Sequence, residues 1–467
     1  MKMKRVGWIL MSSFLMLSSC SFLQQKTQMY PTGVFFPVKK EIHLAFEGEV
    51  IRDITLEGGR LFFSTYNGDV YCIDAATKKI VWIFHAPIPL TSETFVTEEK
   101  IFIEGEQRTL IALDKNGNQL WSYESADPIT SAIIENRDQV YFGTEKGVFI
   151  ALNSSNGEEN WRLQAEGAIR SNPVLTAEAI VFGCDNGLVY FLNPNGKLKN
   201  TFQASDPIGR GLLTDDSFLY FCTDSPYFLC YDLQHSKIKW KIRINGKVLV
   251  PPVAHKKMIY VITWNGILYC LEKKSGHIVW WRNVPSRSSS RLEVVEDKIL
   301  VSSLSSRLVC FNAKSGESAG YYLAEQEIRS NPVWFGSRII ISLFDQEENK
   351  GGLAFLKKVI RVDLKSSRVS PQKPNEEIVI TADPVGFFQP EFEFFQISEG
   401  TREIVREKSE ERTWAWFPSE EGIYTIGVTV TDEKETVEVD MEYRIIGIEK
   451  VIESILRVLP RALLWGI

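Results

Sequence analysis

Several arginines stand where a recurring extended run begins, and they are the one constellation in this chain whose types and spacing share a chemistry. Ile169-Arg170-Ser171-Asn172-Pro173 and Ile328-Arg329-Ser330-Asn331-Pro332 are copies of each other. Ile51-Arg52-Asp53 aligns with them, and Arg210 and Arg291 fall near the same point of their own units. A guanidinium is a planar fork that takes a carboxylate through two hydrogen bonds, so Arg52, Arg170, Arg210 and Arg329 are candidates for gripping acidic groups of a partner protein. The competing reading pairs each arginine with an acidic loop residue of the next unit, and the sequence leaves both open. Other chemistries find less footing. His43, His85, His235, His255 and His277 are scattered over different units without a ligand-like spacing. No G-x-S-x-G elbow or Gly-rich phosphate loop occurs, and Asp185-Asn186-Gly187 reads as a hairpin turn rather than a calcium loop. The expectation is a chain with no catalytic residue, no metal and no cofactor.

The elements that must position these arginines repeat. GDVYCIDAATKKIVW (Gly68 to Trp82), RTLIALDKNGNQLW (Arg108 to Trp121), GVFIALNSSNGEENW (Gly147 to Trp161) and GILYCLEKKSGHIVW (Gly266 to Trp280) are one pattern, with weaker copies ending at Trp240, after Gly187 and after Arg307. The Trp recurs roughly every 40 residues, a propeller-blade period. Each unit resolves into four short runs of period-two alternation, such as Ile129 to Glu135, Gln139 to Thr144, Val148 to Asn153 and Asn160 to Gln164, separated by Asn-Gly and Ser-Gly turns. One four-stranded meander cannot bury both faces, so units must stack, and radial closure removes the exposed edges. Seven units are complete. An eighth supplies Ile328 to Trp334, Arg338 to Leu343 and Val359 to Leu364, and Lys40 to Glu47 has the pattern to finish it from the N-terminal side. The expected fold is all-β: an eight-bladed β-propeller over 39–365, its first runs lining a channel whose mouth the arginines would ring.

The first residues carry a different signal. Lys2, Lys4 and Arg5 precede an apolar run from Val6 to Leu17, and Leu17-Ser18-Ser19-Cys20 follows. The tetrapeptide resembles the lipobox of bacterial lipoproteins. That resemblance implies a signal peptide over 1–19, a lipid on Cys20 and a polar tether to residue 38, with Ser21 implying an outer-membrane anchor facing the periplasm. The repeats themselves resemble the pyrroloquinoline-quinone-like family, and an eight-bladed ring on such a chain is similar to the lipoprotein subunits of outer-membrane barrel-assembly machinery. Quinone-dependent dehydrogenases share the repeat but typically carry a vicinal Cys-Cys pair and a calcium ligand set, and no two cysteines are adjacent here. Cys72, Cys230, Cys270 and Cys310 fall at one repeat position, where Ala112 and Ala151 stand in sister units, and read as small buried residues rather than a disulfide framework.

Beyond a linker at 366–375, residues 376–446 read as the strands of a small immunoglobulin-like sandwich, similar to polycystic-kidney-disease and triple-tyrosine modules. Ile448, Val451, Ile452, Ile455, Leu456 and Leu459 then fall on one face of an amphipathic helical tail at 447–467. A net charge of -6 without a basic block excludes a nucleic-acid partner. The expected function is a non-enzymatic, lipid-anchored envelope scaffold that binds protein partners. A ligand-binding or sensor lipoprotein is the second reading and a quinoprotein oxidoreductase the third.

Overall fold

The computed structural model describes residues 38–447, apart from 107, 216, 289, 305, 388 and 433–435. The signal sequence, Cys20, the tether and the amphipathic tail from residue 448 lie outside the described residues. Seven four-stranded antiparallel sheets follow one another along the chain, spanning 55–85, 95–124, 134–164, 174–203, 208–243, 253–283 and 293–323. They are blades one to seven. The two middle strands of a blade are buried on both faces, as in Arg60–Ser64 and Asp69–Asp74, because another blade lies on either side. The innermost strand is short: the run expected over Ile129 to Glu135 pairs as Ile134–Asn136, with a single bridge from Ile129 to Thr144 beyond it.

Apolar burial closes the ring. Eight clusters each draw on two successive blades, and the one containing Phe46, Val333, Ile340 and Phe355 with Leu61, Phe63, Tyr71 and Ile73 joins the last blade to the first. The repeated Gly and Trp meet across these layers. Trp82, Trp121, Trp161, Trp240 and Trp280 donate their indole N–H to the carbonyls of Lys115, Ser154, Pro194, Lys273 and Ala313 in the next blade, at 2.9–3.2 Å. Each ring lies on the turn glycine there, Gly117, Gly157, Gly196, Gly276 or Gly316, so closely that a Cβ would stand within 2.8 Å of it. Where the Trp position holds Asn200, the facing turn position holds Ser236 instead of glycine. Across the strand, the Trp position faces a small residue, Cys72, Ala112, Ala151, Cys230 or Cys270. The six described cysteines are buried and free, and burial pushes their thiols up, to about 12 for Cys184, Cys230 and Cys310.

The eighth blade contains Glu327–Ile328, Val333–Phe335, Arg338–Asp345 and Lys350–Lys358, and its outer strand is Val38–Glu47, paired from Val38 with Lys358 to Glu47 with Lys350. The N-terminal strand therefore takes the expected place. The third strand is a correction: Lys350–Lys358 fills it, not Val359 to Leu364. Arg361–Ser366 instead pairs with Ile378–Val385, which pairs with Thr413–Trp416, so the second module begins only two residues after the blade ends and the boundary at 365 is too late. A four-stranded sheet, in the order Thr401–Ser409, Glu391–Ser398, Gly422–Thr431, Thr436–Ile445, packs on that three-stranded one. Between them lie Val362, Ile378, Ile380, Phe394, Trp416, Ile426, Val428 and Tyr443. Among the described residues no helix is long and apolar enough to cross a membrane.

Candidate functional site

Serine and asparagine of the arginine motif are absorbed by the ring. Ser171 Oγ accepts from Gly183 N at 2.7 Å and Ser330 Oγ from Ser342 N at 2.9 Å, so a hydroxyl joins the inner run to the next strand of its own blade. Asn331 accepts from Ile54 N at 2.7 Å and donates to Ile54 O at 3.2 Å, tying blade eight to blade one. Asn172 Oδ1 accepts from Ala132 N of blade three at 3.3 Å.

The arginines divide into two sets rather than forming one ring. Arg170 pairs with Asp185 of its own blade at 2.7 Å and with Glu145 of blade three. Arg329 pairs with Glu49, just ahead of blade one, at 3.3 Å, and with Glu327. Of these four carboxylates only Glu49 belongs with the next blade, as the competing reading has it; Glu145 belongs to the preceding blade, and Asp185 and Glu327 to the arginine's own. Arg52, Arg210 and Arg291 instead face Asp53, Glu93 and Glu104. Arg291 Nε lies 3.5 Å from Asp53 Oδ2, Arg210 is half-buried, and Arg52, at φ 56°, is exposed. Burial raises all three carboxyls, opposed for Asp53 by Arg291 and Arg52 and for Glu93 by Arg52, Arg291 and Arg210. Glu104, only 7% exposed, is pushed up to about 7 by burial against the charges of Arg210 and Arg52 and hydrogen bonds from Thr91 and Ser92. Burial and the neighbouring Arg52 lower Arg210. Three guanidinium groups and three carboxyls thus largely compensate one another, and Arg52 and Arg291 are the members exposed to solvent.

Sequence reading missed Glu93 and Glu104, although one signal was present. Glu104 stands at the repeat position that holds Ser64, Gly143, Gly183, Cys222, Ile262, Ser302 and Ser342 elsewhere. A long acid among small or apolar equivalents marks a position taken out of packing for charge.

The outer strands form the second surface. Among the described residues each ends its sheet with one edge unpaired, and most are guarded by charge: Lys237–Arg243 carries Lys237, Lys239, Lys241 and Arg243, and Glu159–Gln164 carries Glu159 and Arg162. Lys79–His85 of blade one, like Gln119–Glu124 and Ser318–Leu323, has no charge between its ends, and of the three it exposes the most large apolar side chains, Ile80, Val81 and Ile83, at 40, 45 and 38%.

A closed ring of four-stranded blades sewn by Trp-on-Gly contacts defines a β-propeller of the pyrroloquinoline-quinone-like repeat class. The model of the family described as outer membrane protein assembly factor BamB matches residues 38–196 and 185–339, and the chain belongs to that family. Its relatives include the outer membrane protein assembly factors BamB of Yersinia pestis, 22% identical over 247 residues, and of Moranella endobia, 23% identical over 324 residues. These matches take in 49 and 63% of this chain and 56 and 83% of the relatives, so little more than half of the Yersinia protein is spanned. Among solved structures, BamB from Moraxella catarrhalis superposes with a TM-score of 0.55 at 15% identity, over 67% of this chain and all of that one. The quinohemoprotein alcohol dehydrogenase of Comamonas testosteroni superposes with 0.55 at 12% identity, over 68 and 76%. Likenesses this distant show the fold alone. Charges from blades one, two, five and seven meet in the Arg–carboxyl cluster, and the six described cysteines are dispersed among the layers between blades. Among the described residues no group of three or more His, Cys, Asp or Glu is placed to hold a metal.

Proposed function

We propose that this chain is a non-enzymatic scaffold of the cell envelope, lipid-anchored at Cys20 to the outer membrane on its periplasmic side, that assists outer-membrane protein assembly by holding protein partners. Family membership and relatives described as outer membrane protein assembly factors support it. The observation that carries the contact itself is the open, uncharged edge of Lys79–His85. An extended segment can add there as a further strand, its backbone satisfying the free edge and its apolar side chains covering Ile80, Val81 and Ile83. The exposed Arg52 is the second contact we assign, toward acidic groups of a partner.

A photo-crosslinking residue at Val81 tests the edge in membranes from cells making the full chain. Assembly-machinery subunits or unfolded barrel precursors should be captured, and an added Ile83→Lys should cut the yield several-fold. Capture that is unchanged by Ile83→Lys, or no capture of envelope proteins, would sink the edge assignment. For the anchor, Cys20→Ser should move the protein from the membrane to the soluble fraction.

A further inference from the structure

Charge is unevenly settled over the outer strands of the ring. On most of them it is paired within the molecule: Arg162 with Glu159, Lys199 with Glu178 at 3.0 Å, Lys40 with Glu325 at 2.7 Å and Glu41 with Arg338 at 2.8 Å. Lys237–Arg243 of blade five differs. Lys237, Lys239, Lys241 and Arg243 alternate with Ile238, Trp240 and Ile242, all four are exposed, and among the described residues none of them lies within 4 Å of a carboxylate. Lys239 and Lys241 rest their ammonium groups on the rings of Phe218 and Tyr227, at 3.6 and 4.0 Å, and Lys241 donates to Ser205 Oγ at 3.3 Å. Asp206 feels the charge of Lys241, but its carboxylate is engaged by the hydroxyls of Ser205 and Ser225. Four cations without a counter-charge on one strand stand out in a chain of net charge -6.

The strand leads into a cleft. Arg243 and Ile244 line it from blade five, and Tyr269, Ile278 and Trp281 from blade six, around a volume of about 570 Å³. Tyr269 and Trp281 are cross-strand neighbours, and Tyr269 Oη accepts from Asn245 N at 3.0 Å, which fixes the connection between the two blades. Trp281 is 38% exposed, and blades two to five hold Ser122, Arg162, Thr201 and Lys241 at its position, so the ring itself does not call for an indole there. An aromatic cleft with a guanidinium at its rim thus continues a row of cations.

We infer that this edge binds an extended segment of another protein, one that carries acidic side chains at alternate positions and an aromatic side chain where it reaches the cleft. Among the described residues Lys237–Arg243 has one neighbour in its sheet, so its other side offers backbone donors and acceptors to an added strand. Alternate side chains of a strand stand about 7 Å apart, and every second residue of the incoming segment therefore meets a cation. The charges that turn away an uncharged strand admit an acidic one. This contact is separate from the uncharged edge of blade one, and neither depends on the other.

Fluorescence anisotropy tests it, with the purified full chain and a short labelled peptide that alternates glutamate with threonine and ends in phenylalanine. Lys237→Glu combined with Arg243→Glu should weaken binding at least about tenfold, and Trp281→Ala about fivefold, with the denaturation midpoint unchanged. A peptide with lysine in place of glutamate should not bind. In the unsubstituted chain, bound acidic peptide should slow hydrogen exchange at the amides of 237–243 and leave those of 159–164 as they were. Binding that survives the double substitution, binding that Trp281→Ala leaves unchanged, or protection that falls on another strand overturns the inference. So does a chain that binds phosphatidylglycerol vesicles but not the acidic peptide, since the cations would then serve a lipid surface.

Discussion

Two kinds of position, a buried carboxyl and a turn glycine, carry costs that can be measured. The Glu104 carboxyl sits at about 7 in the folded chain against 4.5 as its ordinary value, so between these pH values the folded state holds a proton that the unfolded state has released. Its contribution to stability therefore falls as pH rises through that window. At ~1.4 kcal/mol per pKa unit, ionised Glu104 costs about 3 kcal/mol above pH 7 and nothing below pH 4.5. Glu104→Gln should be more stable than the parent at pH 8 and equal to it at pH 4.5 in denaturant titrations, and a less stable variant at pH 8 would contradict the assignment. Gly157 lies at φ 74° beneath Trp121, whereas Gly400, at φ 80°, has open space around it. Alanine at either position strains the backbone, but only at 157 must it also displace an indole. Gly157→Ala should cost about 2 kcal/mol or more and Gly400→Ala about 1 kcal/mol, with the difference between the two as the readout.

At the scale of elements, Val38–Glu47 is the strand on which ring closure depends. Phe46 packs 4.9 Å from Phe63 and 5.3 Å from Tyr71, centroid to centroid, across the seam between the last blade and the first. Phe46→Ala should cost about 3–5 kcal/mol, measured as a shift in the ring's denaturation midpoint, and a loss under 1 kcal/mol would mean the seam is not closed as described. Double lysine substitution at the exposed Val81 and Ile83 should leave stability within about 0.5 kcal/mol, separating that edge's role in binding from any role in folding. The contrast shows what was legible in the sequence. The repeat gave the blades and the donated strand because Gly and Trp recur at fixed spacing and each requires the other across a layer. The run VIRVDL misled because its alternation suits a blade and a sandwich strand equally, while the true third strand, KGGLAFLKK, has two glycines after its first lysine and closes on two more lysines. Alternation reports burial on one face without naming the sheet that buries it. The arginines were visible as a pattern, but their partners, Glu145, Asp185 and Glu49 in loops and Glu327 in the short inner strand of blade eight, are brought to them only by the ring.

For the whole molecule, the sandwich core runs from Val362 to Ile445 and shares no buried residue with the clusters of the ring. Two separable unfolding events are expected: Ile380→Ala should lower one calorimetric transition and Phe46→Ala the other, whereas a single transition moved by both would show the modules to be coupled. Closure of the ring also sets an order of events. Val38 pairs with Lys358, 320 residues later, so in a chain made from its N-terminus the first strand of the propeller is finished long before its partner in the sheet exists. Such a contact is among the slowest a chain of this length can form, because the intervening loop must be ordered before the pairing repays it. During that wait a bare apolar strand would be a seed for aggregation. Lys39, Lys40 and Glu41 at its leading end act as gatekeepers for that interval, and once the ring shuts Lys40 and Glu41 are taken up by Glu325, Arg338 and Lys78.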